Sequence, residues 1–241
     1  FISNTNAQID IIHPPNWWVG FENQNLQLLV KGNSISEFEV GIDYPGVEIT
    51  KIHKADSPNY LFIDLNISNS TLPGIFKIKF KRGRKELTHK YKLEYRRNPS
   101  QQNDGFDSSD VIYLITPDRF VNGDYSNDII KGLKENKIDR NDNYARHGGD
   151  IIGVTQNINY IKEMGFTSIW LNPVLINDMK EGSYHGYATT DYYTPDPRFG
   201  SINDYLEFSE KASQNGIKLI KDIIVNHCGL YHWWMDDLPF N

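Results

Sequence analysis

What is scarce in this chain of 241 residues sets the first limits on what it can be. There is one cysteine, Cys228, so no intrachain disulfide framework can form and the redox compartment stays open. No apolar run approaches the about 18 residues that a helix needs to cross a bilayer, so no membrane span is expected. Positive charge is not in excess. The formal net charge is -6 and no long basic run stands out, which gives nucleic acid no footprint. Position 1 is Phe1, with no initiator Met and no signal-like apolar stretch after it, so the start reads as processed or engineered. Internal repeats and low-complexity tracts are lacking too.

What is present is enough for a core, with 39% hydrophobic residues and a length that suits one or two domains. Aromatics make up 13%, and Trp17-Trp18 and Trp233-Trp234 stand as adjacent pairs. Such pairs suit flat apolar partners such as sugar faces, and equally suit core packing. From Gln8 to about Tyr95 short alternating segments are punctuated by Pro, Gly, Asn and Ser, the pattern of an antiparallel β-sandwich. Strands are expected near Leu26 to Lys31, Phe38 to Ile42, Val47 to His53 and Tyr60 to Leu65. Phe76, Ile78 and Phe80 alternate with Lys77, Lys79 and Lys81, and Leu87, Tyr91, Leu93 and Tyr95 continue the period of two beyond Arg82-Gly83-Arg84. That predicts a hairpin with one buried and one wet face.

Residues 96–109 are polar and turn-rich and read as a linker, which bounds an N-terminal sandwich at 1–95 and a second domain at 110–241. In the second domain the period changes. Val111 to Ile115 and Ser168 to Leu171 read as short buried strands; Val154, Ile158 and Ile161 recur at helical spacing before Gly165. Ser201-Ile202-Asn203-Asp204 fits a capping box for a helix carrying Tyr205, Phe208 and Ala212, closed by Gly216. A third strand is expected in Gly216 to His227, whose β-branched run ends in Asp222, Asn226 and His227. Strand–helix alternation of this kind means a parallel sheet, and in a (β/α) barrel the functional side chains follow the C-terminal strand ends.

Three stretches beyond those ends carry possible chemistry. The long loop after the first strand offers Asn122, Asp124, Asn127, Asp128 and Asp150, the oxygen donors that Ca2+ takes, though an Asx-rich turn region without metal has the same composition. It does not follow the EF-hand frame. The second stretch, Gly182 to Tyr193 and on to Asp196-Pro197-Arg198-Phe199-Gly200-Ser201, joins aromatic rings to an imidazole and a carboxylate, His185 and Asp191 among them, as a site for a neutral polyhydroxyl ligand would, or as a loop packed on a barrel rim would. The third is the Asp222 to His227 strand end.

Together these stretches resemble the α-amylase family of glycoside hydrolases, family 13. Tyr184-His185-Gly186-Tyr187 with Asp191 looks like that family's motif after the second barrel strand, and Asp222-Ile223-Ile224-Val225-Asn226-His227 like its conserved region on the third. Asn122, Asp124, Asn127, Asp128, Gly148 and Asp150 match a calcium site of the neopullulanase and cyclomaltodextrinase branch. His13-Pro14-Pro15-Asn16-Trp17-Trp18 and Asp43-Tyr44-Pro45-Gly46-Val47 are similar to the N-terminal domain of its Bacteroidetes-type members. The resemblance implies an Ig-like sandwich followed by about three strands of a (β/α)8 TIM barrel, and retaining hydrolysis of α-1,4-linked glucans such as starch oligosaccharides, cyclodextrin or pullulan. It implies that Tyr187 stacks under a bound sugar, that His227 and His185 contact it, and that Asp222 supports the site. Trp233 and Trp234 would border the glucan groove.

A retaining glycosidase needs two facing carboxylates. In this family they follow the fourth and fifth barrel strands, and no position here matches them, so the chain is expected to be an inactive part of a parent enzyme, with its nucleophile and acid/base beyond Asn241. The alternative is a non-catalytic carbohydrate-binding protein on the same scaffold, which would bind glucan without releasing reducing ends. An amylase-like scaffold subunit that lost catalysis would be expected to lose Tyr187, His185 and His227, which are kept here. Transglycosylation shares the hydrolytic intermediate and stays open. By analogy, a homodimer through the N-terminal domain and a periplasmic or extracellular location are expected, with the cytoplasm as the alternative.

Overall fold

A computed structural model describes residues 8–96 and 105–240. The start of the chain and the middle of the expected linker, residues 97–104, lie outside the described residues. The chain divides into two compact units, one of Phe1–Asn103 with Asp237–Asn241 and one of Asp104–Asp236.

The first unit is a β-sandwich of two four-stranded sheets. One sheet holds β1 (Ile9–His13), β3 (Asn25–Gly32), β6 (Tyr60–Ile67) and β5 (Val47–Lys54) in that order; the other holds β2 (Asn16–Val19), β8 (Lys85–Tyr95), β7 (Gly74–Arg82) and β4 (Glu39–Ile42). Alternation builds the core: Leu26, Leu28 and Val30 from β3, Leu61, Ile63 and Leu65 from β6, and Phe76, Ile78 and Phe80 from β7 all turn inward. Burying one such side chain contributes roughly 1.5–3 kcal/mol. One ladder departs from the antiparallel expectation, because β2 pairs with β8 in parallel, Trp17 opposite Leu93. Pro14 and Pro15 separate β1 from β2 and cannot donate to a ladder, so the chain leaves one sheet there and enters the other. Trp17 packs on the core while Trp18 is 37% exposed.

The chain's last residues, expected to belong with the barrel, group with this unit instead. The Pro239 carbonyl accepts the amides of Asp56 and Ser57, the Tyr60 hydroxyl donates to the Asp237 carbonyl at 2.5 Å, and Phe240 stacks on Phe62. Phe62 alternates out of the sandwich core, and its outward ring gives the tail an apolar seat.

In the second unit β9 (Ile112–Ile115), β10 (Ser168–Leu171) and β11 (Lys218–Lys221) form a parallel sheet in the order β9-β10-β11. The register aligns Ile115 with Leu171 and Leu171 with Lys221, so all three C-terminal ends open at one edge. The helices α1 (Ile151–Gln156), α2 (Ile158–Glu163) and α3 (Ile202–Gln214) supply Ile151, Val154, Ile158, Ile161, Phe208 and Ala212 to a core shared with Ile115, Ile169 and Leu171. The single helix expected around Val154 to Ile161 is broken at Asn157, whose side chain donates to the Gly153 carbonyl at 2.8 Å and so competes with the backbone. The capping box forms as expected: the Ser201 hydroxyl accepts from the Asp204 amide, and the Asp204 carboxylate accepts from the Ser201 amide at 2.6 Å.

The third strand is shorter than its sequence suggests. It ends at Lys221, where its ladder with β10 ends, and Ile223 and Val225 beyond it are 51% and 89% exposed. Without a backbone partner there, β-branched residues alone do not extend a strand.

Candidate functional site

Asp222 follows β11 directly, and its position on the open edge organises the site. Its Oδ2 accepts two hydrogen bonds, from the Tyr187 hydroxyl at 2.9 Å and from the Trp170 indole N–H at 3.1 Å. Trp170 lies on β10 and Tyr187 in the loop beyond it, so one carboxylate oxygen ties two strand ends together. Burial, and next the Asp222 carboxylate, push the Tyr187 phenol above its ordinary range, which keeps it a neutral donor.

His185 ends a tight 3-10 turn, Ser183–His185, that Gly186 closes, and Tyr187 follows directly. Gly186 has a positive φ of 79°, and a Cβ there would lie 1.9 Å from the Pro173 carbonyl oxygen, so no other residue fits. The His185 Nδ1 accepts the Tyr187 amide at 2.9 Å, and its ring stacks on the Tyr187 ring at 5.9 Å. Burial lowers the His185 pKa, countered by Glu135; the ring is neutral, with its proton on Nε2. His227 is exposed and reaches the same loop from the other side. Facing the Tyr187 carbonyl at 3.0 Å, its Nε2 must carry the proton, which leaves Nδ1 to accept from the Asn226 amide at 3.2 Å. The structure thus brings Tyr187, His185, Asp222 and His227 together.

Trp233 and Trp234 sit in a 3-10 turn, Trp233–Met235, packed around His232 at 4.8 and 4.7 Å. Tyr192 connects that cluster to the site: its ring lies 5.9 Å from His232 and its hydroxyl donates to the His227 carbonyl at 2.5 Å.

The loop after β9 gathers the oxygen-bearing residues. Asp150 is buried and caps α1, accepting from the Gly153 amide at 2.6 Å, the Asp124 amide at 2.8 Å and the Gly123 amide. Asp124 holds the Ser126 amide and hydroxyl, whose hydrogen bonds lower its pKa. The Asn122 amide donates to Asp128 at 2.6 Å, and the Asn127 amide points to Asp150 at 3.4 Å. Both asparagine Oδ1 atoms are buried without a hydrogen-bond partner. Gly148, at a φ of 87°, closes over the cluster, since a Cβ there would meet Asp128 Oδ1 at 2.6 Å. Among the described residues no three His, Cys, Asp or Glu side chains cluster as a metal site, so any cation here would depend on the amide oxygens.

Sequence reasoning gave no role to a second, fully buried layer beneath the site. Arg198 grips Asp196 through Nε at 2.9 Å and Nη2 at 2.6 Å, and donates to the carbonyls of Asn177 and Glu135. Burial would raise the Asp196 pKa, but the Arg198 guanidinium more than offsets it and holds the carboxyl below its usual range. Glu135 accepts from the Ser183 amide at 2.8 Å and hydroxyl at 2.5 Å, so it fixes the start of the His185 turn. Arg146 lies over the Phe199 ring, 3.7 Å from Asp118, and Asp118 pairs with Arg119. Only the Asp-x-Arg spacing of Asp196 and Arg198 hints at a pair; nothing local links Glu135 to Ser183.

The comparisons divide along the chain in the same way. Residues 11–97 match a family described as cyclomaltodextrinase, N-terminal, and residues 114–239 match one described as alpha amylase, catalytic domain. The chain is 41% identical over 132 residues to a beta/alpha-amylase of Paenibacillus polymyxa, covering 55% of this chain and 11% of that protein. It is 40% identical over 131 residues to a cyclomaltodextrinase of Thermoanaerobacter pseudethanolicus, covering 54% and 22%, and 37% identical over 119 residues to neopullulanase 2 of Thermoactinomyces vulgaris, covering 49% and 20%. The match therefore spans between 11% and 22% of the length of these curated relatives.

Proposed function

The chain belongs to the α-amylase family, and from that premise we propose that the edge formed by Asp222, Tyr187, His185 and His227 binds an α-1,4-linked glucan for hydrolysis with retention. The observation that carries this reading is the shared Asp222 oxygen, which holds the Tyr187 ring in place through its hydroxyl at the open edge of the sheet. Tyr187 supplies the stacking surface. The Nε2 proton of His185, whose Nδ1 is held by the Tyr187 amide, is the donor for a sugar hydroxyl, and the exposed His227 ring, whose own Nε2 proton goes to the Tyr187 carbonyl, borders the ligand. Asp222 acts through Tyr187 and Trp170 and is a positioning residue. Hydrolysis also needs two facing carboxylates, a role that none of these groups fills.

Binding and turnover are tested on the same protein. Tryptophan fluorescence is titrated with maltoheptaose, and reducing-end release is followed from maltoheptaose and β-cyclodextrin. Tyr187→Ala is expected to weaken binding at least about tenfold, a loss of about 1.4 kcal/mol, and Tyr187→Phe to weaken it less. Equal affinity for wild type and Tyr187→Ala would sink the site. Affinity without release would favour the carbohydrate-binding reading over the enzymatic one.

We further propose that Ca2+ is held by Asn122, Asp124, Asn127, Asp128, the Gly148 backbone and Asp150. Support comes from the two buried amide oxygens left without donors, on asparagines whose amide groups contact the Asp128 and Asp150 carboxylates, a hard, oxygen-only donor set. Bound there, the ion would offset carboxylate charge and join the loop after β9 to the start of α1. EGTA should lower the melting temperature of wild type, and Asn127→Ala should reduce that response. A chelator-independent melt would overturn the proposal.

A further inference from the structure

The hairpin of β7 and β8 carries the positive charge that the chain as a whole lacks. Between Gly74 and Tyr95 stand eight Lys or Arg and two Glu, a net of +6 in a chain whose formal charge is -6. Strand alternation sorts them. With Phe76, Ile78 and Phe80 turned into the core, Lys77, Lys79 and Lys81 all face outward on β7, and Lys90 and Lys92 join them from β8. Lys77 stands directly opposite Lys90, an arrangement of like charges that weakens a ladder. β7 and β8 are the two inner strands of their sheet, so protection of an exposed edge does not account for the lysines. Two ion pairs touch the hairpin, Lys92 with Glu94 at 3.0 Å and Arg82 with Glu37 at 2.5 Å; Lys77, Lys79, Lys81 and Lys90 form none among the described residues.

Apolar groups flank the array. Leu72 and Ile75 are 70% and 62% exposed at one end, and Trp18 is exposed on β2 opposite Glu94. We propose that this face docks on an anionic phospholipid bilayer. Ammonium groups on long flexible stems match a fluid layer of phosphates, whereas a fixed phosphate lattice or a base edge would favour the guanidinium fork, and every outward cation between Phe76 and Phe80 is a lysine. Ile75 and Leu72 can enter the headgroup layer beside them, and Trp18 is amphipathic enough to sit at its depth.

The test is co-sedimentation of the whole protein with phosphatidylcholine vesicles containing or lacking about 30 mol% phosphatidylglycerol. Binding is expected only with the anionic vesicles, and it should fall steeply at about 0.5 M salt, where screening is strong. Lys77→Ser/Lys79→Ser/Lys90→Ser should lose at least about tenfold in affinity, while the charge-matched control Lys51→Ser/Lys54→Ser/Lys162→Ser should stay within about twofold. The salt dependence of wild type reads the same question should the first variant fold poorly. Absence of binding, equal binding to neutral vesicles, or equal loss in both variants would overturn the proposal. So would tighter binding to duplex DNA or heparin at the same salt, which would assign the face to a soluble polyanion.

Discussion

The two units bury different things. Among the described residues the sandwich buries Ser36, Thr71 and the tyrosines Tyr60 and Tyr91 but no charged side chain, whereas the second unit buries Asp118, Glu135, Arg146, Asp150, Asp196 and Arg198. A buried charge is costly unless it is paired and hydrogen-bonded. The sandwich has no reason to accept that cost, because strand alternation alone fills its interior. The second unit must hold long loops in place at the ends of three short strands, and apolar packing cannot fix loops whose backbones need hydrogen bonds. Its buried charges supply those bonds: Arg198 to the carbonyls of Glu135 and Asn177, Glu135 to the Ser183 amide, and Asp150 to the amides of Gly123, Asp124 and Gly153.

The largest test of this contrast is Arg198→Ala, which strands the buried Asp196 carboxylate and should cost about 3–5 kcal/mol. Hydrogen exchange read by peptide should show the loss across residues 105–236, with sandwich peptides unchanged. A loss spread evenly over both units would break the comparison. Next is Ile63→Ala in the sandwich core, expected to cost about 2–5 kcal/mol by leaving a cavity and to speed exchange only in sandwich peptides. Smaller again is Ser201→Ala, which removes the α3 cap and should cost about 1 kcal/mol, visible as a lower denaturation midpoint with an unchanged slope.

The smallest effect is expected from pH. Burial lowers the pKa of His89 in the sandwich and of His185 in the second unit, and only His185 has a carboxylate, Glu135, acting against that shift. For such a group the unfolded chain takes up the proton first. Its stabilising contribution is therefore complete above the unfolded pKa of about 6.5 and is lost as pH falls through the lowered folded value. Both units should weaken as pH falls below about 6.5, the sandwich on account of His89 and the second unit on account of His185. Replacing His89 with Gln should flatten the sandwich's profile; if it does not, another group sets that slope.

Much of this could be read from residues alone. The alternation of Phe76, Ile78 and Phe80 with lysines placed β7 correctly, and the Ser201–Asp204 box placed the start of α3, because both signals are local. The third strand was overextended because Ile223, Ile224 and Val225 have strand propensity but no partner backbone beyond the β10 ladder. The parallel pairing of β2 with β8 was not legible either, since a sheet switch at Pro14-Pro15 says where a ladder stops and not which strand is met next. In the site, the motif residues Tyr187, His185, Asp222 and His227 were given roles from sequence, while Asp196, Arg198 and Trp170 were legible only as members of a loop and a strand, and Glu135 was not singled out. Their partners lie up to 63 residues away, as Glu135 does from Arg198, beyond any periodicity.

The sequence by itself determined the faces of the strands, the capping of α3 and the identity of the residues that end the parallel strands, since each depends on neighbours within a few positions. Tertiary structure alone decided that one oxygen of Asp222 would hold both Tyr187 and Trp170, that two asparagine oxygens would be buried without donors, and that lysines separated along the chain would form a single charged face. The reason is the same in each case: a hydrogen bond, a desolvation cost or a repulsion exists only once folding has brought distant groups within a few ångströms.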